Sequence, residues 1–240
     1  MAWFFTKPFT GDYYTIDGED ARHIEKSLRM KAGESITLVD SNSVQHNGII
    51  DSITSGSVTV KIIESFECAQ EPTVKVSLYQ ALPKGDKMDT IVQKAVELGV
   101  NEIIPVISAR CISRPDEKSM NKKIARWQKI ALQAAQQSRR GIIPVVKEAV
   151  SFKQAVNKLD KNACNIIFYE CGGAKVSSII NDNKSINMFI GSEGGFEQQE
   201  VDSIIEKGGS PATLGKRVLR AETAPLTALS VIMYETGNLG

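Results

Sequence analysis

The stretch Ile190-Gly191-Ser192-Glu193-Gly194-Gly195-Phe196 indicates a strand–loop–helix unit, because it lies at the end of an apolar segment, residues 186–190, and precedes a helical pattern. Its three glycines permit a close backbone approach and positive φ angles. It is neither G-x-G-x-x-G nor a Walker A loop, since position 193 is glutamate and no G-K-[ST] follows. A carboxylate here would repel phosphates and suits a ligand with hydroxyls, an amine or a positive charge. The glycines alone are equally typical of an ordinary strand-to-helix turn.

Strand and helix patterns alternate around this stretch from residue 74 onwards. Strands are predicted at residues 74–80, 102–107, 142–146, 165–169 and 186–190, and helices at 86–98, 119–138, 152–159, 198–207 and 223–236. This alternation predicts an α/β domain over residues 74–240, with a mostly parallel sheet and helices on both faces. Ligands of such sheets bind at the carboxyl ends of the strands.

The first 70 residues have a different pattern, with β-branched strands at 35–39, 48–53 and 58–63. Turns are predicted at Asn47-Gly48 and Ser55-Gly56, and one helix at about 20–28 after the cap-competent Asp17 and Asp20. Many strands with little helix predict a small β-barrel domain over residues 1–70, followed by a linker at 67–72.

Composition excludes several classes of protein. No apolar run approaches the roughly 20 residues of a membrane span, and no basic region precedes the apolar N-terminal residues, so we expect a soluble, cytoplasmic protein without membrane contact. The only histidines, His23 and His46, lie early, which argues against a histidine triad or histidine-ligated metal in the C-terminal two-thirds. The four cysteines lack C-x-x-C spacing, so we expect reduced thiols packed mostly as small hydrophobes, and no metal.

Charge is distributed unevenly although the net charge is only +1. Residues 1–72 carry 6 basic and 11 acidic side chains, residues 73–150 carry 14 and 7, and residues 151–240 carry 9 and 10. Between Arg110 and Arg140 alone, nine basic residues face two acidic ones. A solvated helix face is one explanation, but so one-sided an excess favours a polyanionic partner, RNA or DNA.

Three further segments carry chemically informative residues. The first is Leu214-Gly215-Lys216-Arg217-Val218-Leu219-Arg220-Ala221-Glu222-Thr223-Ala224-Pro225, in which Thr223 is the predicted N-cap of the last helix and Pro225 lies in its first turn. A capped helix with surface charges would explain this segment alone. The second is Leu82-Pro83-Lys84-Gly85-Asp86-Lys87-Met88-Asp89, leading into residues 92–100, and the third is Gln136-Gln137-Ser138-Arg139-Arg140.

Together, the four segments resemble the signature of the bacterial 16S rRNA (uracil-N3)-methyltransferase family, a branch of the SPOUT superfamily. That signature reads K-G-[DE]-[RK]-M-[DE], Q-K-[AC]-x-E-L-G-V, E-Q-[SC]-x-R, I-G-P-E-G-G-[FW] and L-G-x-R-[IV]-L-R-x-E-T-A. His23, Arg29 and Gly33 resemble the family's PUA-like RNA-binding module, so the resemblance covers nearly the whole chain. Two positions depart from the pattern: Ser192 replaces proline, and Gln136 replaces glutamate.

The resemblance implies an architecture, a cofactor and partners. It implies a SPOUT-type C-terminal domain with a deep trefoil knot, preceded by the PUA-like β-barrel, in a homodimer with the site at the interface. The implied reaction transfers a methyl group from S-adenosylmethionine (SAM), without a metal, to N3 of a uridine in the decoding region of 16S rRNA, with the assembled small ribosomal subunit as the expected substrate. The implied SAM-binding residues are Tyr169, Glu170, Gly191, Glu193, Gly194, Leu214, Gly215, Val218, Leu219 and Thr223.

The reaction needs both a proton acceptor and a stabilising cation, because uridine N3 must lose a proton and the charge then spreads onto O2 and O4. Arg220 is the candidate cation, with Arg217 as second choice, and Glu222 is the candidate acceptor. Glu193 orients the loop or the cofactor amine in this scheme. A phosphate contact remains open for Arg220, and helix-start electrostatics for Glu222. The expected RNA-binding residues are Arg29, Lys84, Lys87, Arg110, Arg114, Lys122, Lys123, Arg126, Arg139 and Arg140.

Two other functional classes compete with this reading. A non-catalytic RNA-binding ribosome assembly factor could keep the same fold, although the glycines and the Arg220–Thr223 stretch argue against it. A Rossmann-type methyltransferase acting on a small molecule or protein lacks its glycine-rich motif after the first strand of the α/β domain, and leaves the basic stretch unexplained.

Overall fold

The fold is taken from a computed structural model that describes residues 2–181 and 183–239. The predicted outer domain limits, Met1 and Gly240, lie outside the described residues. The chain forms two compact units. The N-terminal unit extends to Glu71 and also contains Ala135–Ile142, and the C-terminal unit contains Pro72–Ala134 and the chain from Ile143 onwards.

The N-terminal unit is built on a curled five-stranded sheet with the order β1-β3-β4-β5-β2. Its strands are β1 Ala2–Thr6, β2 Tyr13–Asp17, β3 Ser35–Asp40, β4 Val44–Thr54 and β5 Ser57–Glu67. β1 runs parallel to β3, and the other neighbours are antiparallel. Helix α1 (Gly18–Arg22) and a π-helical segment (His23–Leu28) add Ala21 and Ile24 to the apolar core of the sheet.

This unit differs from the sequence-based expectation at three places. β1 and β2, five residues each, were not predicted. The helix begins at Gly18, with Asp17 as an N-cap that makes no side-chain hydrogen bond, and it continues as the π-helical segment. Asn47-Gly48 is not a turn but lies inside β4 at a register shift, where a Cβ on Gly48 would be 2.6 Å from Val60 Cγ1. Glycine is therefore needed there for the close approach of β5.

The C-terminal unit contains a seven-stranded sheet in which every paired neighbour is parallel, as the alternation predicts. The order is β12-β10-β11-β6-β7-β8, and β9 also pairs with β7. The strands are β6 Lys75–Ala81, β7 Glu102–Ile107, β8 Val145–Val146, β9 Val150–Ser151, β10 Cys164–Phe168, β11 Ser185–Ile190 and β12 Ser210–Ala212. The helices are α2 Lys87–Glu97, α3 Glu117–Gln137, α4 Phe152–Asn157, α5 Ser177–Ile180, α6 Gln198–Glu206 and α7 Thr223–Glu235.

The strand order determines where a site can form. β12, β10 and β11 are neighbours, with Phe168 opposite Ala212 and Ile167 opposite Phe189 in the ladders. Because the strands are parallel, the three segments that follow them leave the sheet at the same edge. Below that edge, Phe189 is fully buried and stacks on Tyr79 with ring centroids 4.4 Å apart, which anchors the ends of β6 and β11.

Three further differences concern residues 142–146, the last helix and the thiols. The strand is limited to β8, because the N–H groups of Gly141 and Ile142 donate to a carboxylate oxygen of Glu71 instead of a strand. Thr223 is the first residue of α7, not its N-cap, since its N–H already donates to the carbonyl of Arg220. All four cysteines are free, but Cys171 is exposed.

No helix within residues 2–181 and 183–239 is long and apolar enough to cross a membrane. The same residues contain no cluster of three or more side chains that could hold a metal ion.

Candidate active site

A cleft of about 370 Å³ lies at the carboxyl ends of β10, β11 and β12, and its volume is within the range of small-molecule sites. Residues from the three segments that follow these strands line it, together with Lys87. All the predicted cofactor residues except Thr223 contribute to the lining, as do Arg217 and Arg220. The structure thus brings together side chains and glycines that are far apart along the chain, from Lys87 to Arg220.

The glycine loop between β11 and α6 is a tight turn closed by a hydrogen bond from Gly195 N to the carbonyl of Ser192, 3.0 Å long. Gly195 has a φ of +66°, and a Cβ there would collide with the carboxylate of Glu170. A Cβ on Gly191 would be 2.9 Å from Gly195 Cα. Phe196 is 1 % exposed and fixes the end of the loop in the core. The glycines are therefore required by close approaches around the cleft, and Ser192 does not prevent the turn from closing.

Gln80, near the end of β6, supports this loop through a hydrogen bond and was not among the predicted site residues. Its amide nitrogen donates to the carbonyl of Gly191 at 3.3 Å and to that of Ala81 at 2.9 Å, and its side chain is fully buried. Its amide oxygen has no hydrogen-bond partner among the described residues. The available signal was an amide side chain in the last two residues of a predicted strand.

Lys87 lines the cleft and joins Glu193, which also lines it, to Glu222, which does not. Its ammonium nitrogen lies 2.7 Å from Glu193 Oε1 and 3.4 Å from Glu222 Oε2. Both oxygens of Glu193 also accept from the backbone N–H of Lys84, at 3.1 and 3.3 Å. Glu193 is therefore held by residues 84 and 87, which favours the loop-orienting role over contact with a cofactor amine.

The pKa values of this cluster reflect the pairing. The hydrogen bond to Glu193 raises the pKa of Lys87 above its ordinary value, against an opposing effect of burial. Burial acts to raise the pKa of Glu193, but the hydrogen bonds from Lys87 and from backbone N–H groups outweigh it, so this pKa is lowered. Both groups are consequently charged over a wide pH range around neutrality.

The segment between β12 and α7 brings Arg217 and Arg220 to the cleft, where both are exposed. The carbonyl of Arg220 accepts from the N–H groups of Thr223 and Ala224 at 2.9 Å, so this residue is fixed at the start of the helix while its side chain faces solvent. Val218 is 83 % exposed, an unusual position for valine, and it lines the same cleft.

Five of the predicted RNA-binding residues have side-chain partners within the chain, and Lys87 is one of them. Arg110 donates to the carbonyl of Gly194 at 3.0 Å, and Arg126 pairs with Asp89. The remaining two are Arg114, which donates to the carbonyls of residues 108, 109 and 111, and Arg140, which pairs with Glu71.

Arg140 is 4 % exposed, and its guanidinium makes two hydrogen bonds to Glu71, at 2.8 and 2.6 Å. A phosphate could not reach it without breaking this pair, so its position does not support an RNA contact. The others occupy surface positions: Lys123 is half-buried, whereas the side chains of Arg29, Lys84, Lys122 and Arg139 are exposed.

Comparison with known proteins assigns both units. The profile of an RNA methyltransferase domain matches residues 69–233, and that of an RNA methyltransferase PUA domain matches residues 16–63. The small subunit ribosomal RNA methyltransferase E of Bacillus subtilis is 36 % identical over 232 residues, covering 93 % of this chain and 90 % of the relative. The enzyme of the same name from Mesomycoplasma hyopneumoniae is 31 % identical, covering 96 % of this chain and 98 % of its own length.

Solved structures agree over nearly the whole chain. A ribosomal RNA small subunit methyltransferase E from Neisseria gonorrhoeae, solved bound to SAM, has a TM-score of 0.89 at 33 % identity and covers 98 % of this chain and 97 % of that one. A Legionella pneumophila protein solved in complex with SAM has a TM-score of 0.87 at 31 % identity, over 97 % and 96 % of the two chains.

The fold and the cleft therefore define an RNA methyltransferase with a parallel α/β C-terminal domain and a PUA-like N-terminal domain, which confirms these two parts of the predicted fold class. Within that class, the chain belongs to the ribosomal RNA small subunit methyltransferase E family.

Proposed function

We propose that this protein uses SAM to methylate N3 of a uridine in the decoding region of 16S rRNA, with the assembled small ribosomal subunit as substrate. The observation that carries the proposal is the convergence of three segments on one cleft lined by glycines, Arg220 and Glu193, with Glu222 joined to Glu193 through Lys87. The family relatives are named as methyltransferases of small-subunit rRNA, and the Neisseria gonorrhoeae relative was solved with SAM.

The cleft fits SAM on the geometry of this chain. Side chains at positions 191 and 195 would fill space that the glycines leave to the backbone, and Leu214, Val218 and Leu219 give the lining an apolar side for an adenine ring. When bound, SAM supplies a methyl group made electrophilic by its sulfonium charge. The carboxylate of Glu170 at the cleft is compatible with a cationic ligand.

The residues of the chain supply what uridine N3 lacks at neutral pH. N3 carries a proton that has to leave before its electron pair can attack. In this proposal Glu222 accepts that proton directly or through water, and the Arg220 guanidinium stabilises the negative charge on O2 and O4. Arg220 lines the cleft and Glu222 lies two residues further along the same segment, so both functions come from one loop.

Several parts of the proposal concern organisation. We propose the division into a PUA-like domain at residues 1–70 and a methyltransferase domain at 74–240, a trefoil knot, a homodimer, and action in the cytoplasm without a metal. The exposed Arg29, Lys84, Lys122 and Arg139 would contact phosphates, as would Lys123, the neighbour of Lys122 in α3. Arg140 is left out, because Glu71 occupies it.

Single-turnover methyl transfer across pH tests the roles of Arg220 and Glu222. Arg220→Ala is expected to lower the rate on the order of 10²-fold, the usual effect of deleting a charge-stabilising donor, while Arg220→Lys keeps partial activity. Glu222→Gln is expected to lose most below neutral pH and to recover partly as pH rises. A Glu222→Gln variant with the wild-type rate and profile would assign the proton to another acceptor.

Isothermal titration with SAM separates this enzyme from a non-catalytic assembly factor. The proposal requires SAM binding by the wild type, and near-normal affinity in the Arg220 and Glu222 variants. Binding of 16S rRNA without any binding of SAM would favour the assembly factor instead. A loss confined to RNA affinity in Arg220→Ala would make that residue a phosphate contact.

A further inference from the structure

Glu193 and Glu222 both form an ion pair with the same cation, Lys87. Lys87 is the first residue of α2, Glu193 lies in the glycine loop, and Glu222 is the residue before α7. These three side chains, from three separate segments, meet at Lys87 Nζ, 2.7 Å from Glu193 Oε1 and 3.4 Å from Glu222 Oε2. The cluster carries a net charge of −1 when all three groups are ionised.

A phosphate contact, the role expected for Lys87 from the sequence, does not fit this position. The side chain is one-third exposed, and its ammonium already lies within ion-pair distance of two carboxylates. An incoming phosphate would meet the negative charge of both glutamates as well as the lysine. By contrast, Lys84 is exposed and its contact with Glu193 is made by the backbone N–H, which leaves its side chain for solvent.

We propose that Lys87 is a positioning residue that holds the Glu222 side chain in place beside the cleft by pairing it with the anchored Glu193. The proposal rests on the proposed function, in which Glu222 accepts the uridine proton. Glu193 is itself fixed by the backbone N–H of Lys84. Glu222 makes no helix-capping hydrogen bond of its own, so its ion pair with Lys87 connects it to the fixed Glu193.

The physical reason is the behaviour of neighbouring carboxylates. Two such groups close together resist ionising at the same time, and one of them then retains a proton. A proton acceptor has to be ionised before the reaction begins. Lys87 removes this conflict, because one ammonium can pair with both groups. The raised pKa of Lys87 and the lowered pKa of Glu193 agree with this arrangement.

The experiment compares Lys87→Met, which keeps the length of the side chain but not its charge, with Lys87→Arg. In single-turnover assays at saturating RNA and SAM, Lys87→Met is expected to be at least about 10-fold slower at pH 7, with the deficit largest at low pH and smaller as pH rises. Lys87→Arg is expected to recover most of the rate. The salt dependence of RNA binding is expected to stay as in the wild type.

Two reference variants make the comparison decisive. Lys122→Met removes a proposed phosphate contact and is expected to reduce the salt slope of RNA binding by about 0.7 to 0.9. Lys207→Met removes an exposed lysine at the end of α6 and is expected to change neither the slope nor the rate. If Lys87→Met instead lowers the salt slope as Lys122→Met does, with a normal pH profile, Lys87 is a phosphate contact and the proposal is wrong.

Carboxylate titration by ¹³C NMR tests the cluster without any methyl transfer. Glu193 is expected to titrate at higher pH in Lys87→Met than in the wild type, and at nearly its wild-type pH in Lys87→Arg. An unchanged Glu193 titration overturns the proposal whatever the rates show. If the titration shifts but the wild type methylates no RNA, the ion cluster is real and the failure belongs to the proposed function, which removes the positioning role with it.

Discussion

Arg139 and Arg140 are adjacent in the sequence, and the structure gives them opposite environments. Arg140 is 4 % exposed and makes two hydrogen bonds to Glu71. Arg139 is exposed and has a left-handed φ of +59°. Replacing each in turn, as Arg140→Ala and Arg139→Gln, should therefore separate a stabilising ion pair from a nucleic-acid contact.

The expected loss of stability follows from the surroundings of Glu71. Removing one partner of a buried ion pair costs about 3–5 kcal/mol. The Glu71 side chain is 21 % exposed and still accepts from the N–H groups of Gly141 and Ile142, at 2.7 and 3.3 Å, so the lower end applies. Arg140→Ala should thus lose about 3 kcal/mol, on the order of 100-fold in the unfolding equilibrium. Arg139→Gln should stay within about 0.5 kcal/mol of the wild type.

Urea unfolding followed by tryptophan fluorescence can measure this difference. Trp3 reports on the N-terminal unit, because its indole N–H donates to the carbonyl of Arg140 at 3.1 Å. The other tryptophan, Trp127, would obscure this signal. All the proteins compared in this experiment, including the reference protein, therefore carry Trp127→Phe. An unfolding free energy of Arg140→Ala within about 1 kcal/mol of its background would contradict the stabilising ion pair. A smaller salt slope of RNA binding in Arg140→Ala, with an unchanged slope in Arg139→Gln, would contradict the assignment of the two arginines.

Three further predictions concern the cleft. Gly195→Ala should weaken SAM binding at least about 10-fold in calorimetry without preventing folding, since its Cβ would meet Glu170 at a left-handed φ of +66°; equal affinity would exclude the loop from the pocket. Gln80→Leu should lower the unfolding free energy by about 1–3 kcal/mol in urea, because the carbonyls of Gly191 and of the buried Ala81 lose a donor; an unchanged midpoint would show that these bonds are dispensable. The lowered pKa of Glu193 gives stability that is present above the ordinary pKa of 4.5 and is lost as pH falls through the folded-state pKa. The difference in unfolding free energy between the wild type and Glu193→Gln should therefore shrink on acidification from about pH 5 to pH 3. Parallel dependences of this free energy on pH in the two proteins would contradict the pairing.

Long buried elements could be predicted from the sequence, and short ones could not. The strand Glu102–Ile107 was predicted at its observed limits, because a run of apolar residues between polar neighbours is a local signal. β12 has three residues including a proline, and α5 has four, so neither gives a periodic pattern. These elements form because neighbouring strands and helices are already in place.

The site shows the same division between local and non-local information. The glycines of the β11–α6 loop were located after a predicted strand and the basic segment was located before a predicted helix, and they meet at one cleft. The partners of Lys87 and Arg140 could not be predicted, because Glu193 lies 106 residues from Lys87 and Glu71 lies 69 residues from Arg140. Counting charges identifies a basic segment but not which of its cations are already paired.

Methyl transfer with isotopically labelled SAM would test the proposed reaction itself. The purified protein is incubated with small ribosomal subunits, or with free 16S rRNA, from a bacterial strain that lacks this modification, and the RNA is digested to nucleosides for mass spectrometry. We expect one labelled nucleoside, N3-methyluridine, in greater yield from assembled subunits than from free rRNA, and a yield reduced on the order of 10²-fold with Arg220→Ala. Label on a different nucleoside, on another atom of uridine, or on no RNA at all would contradict the proposed function.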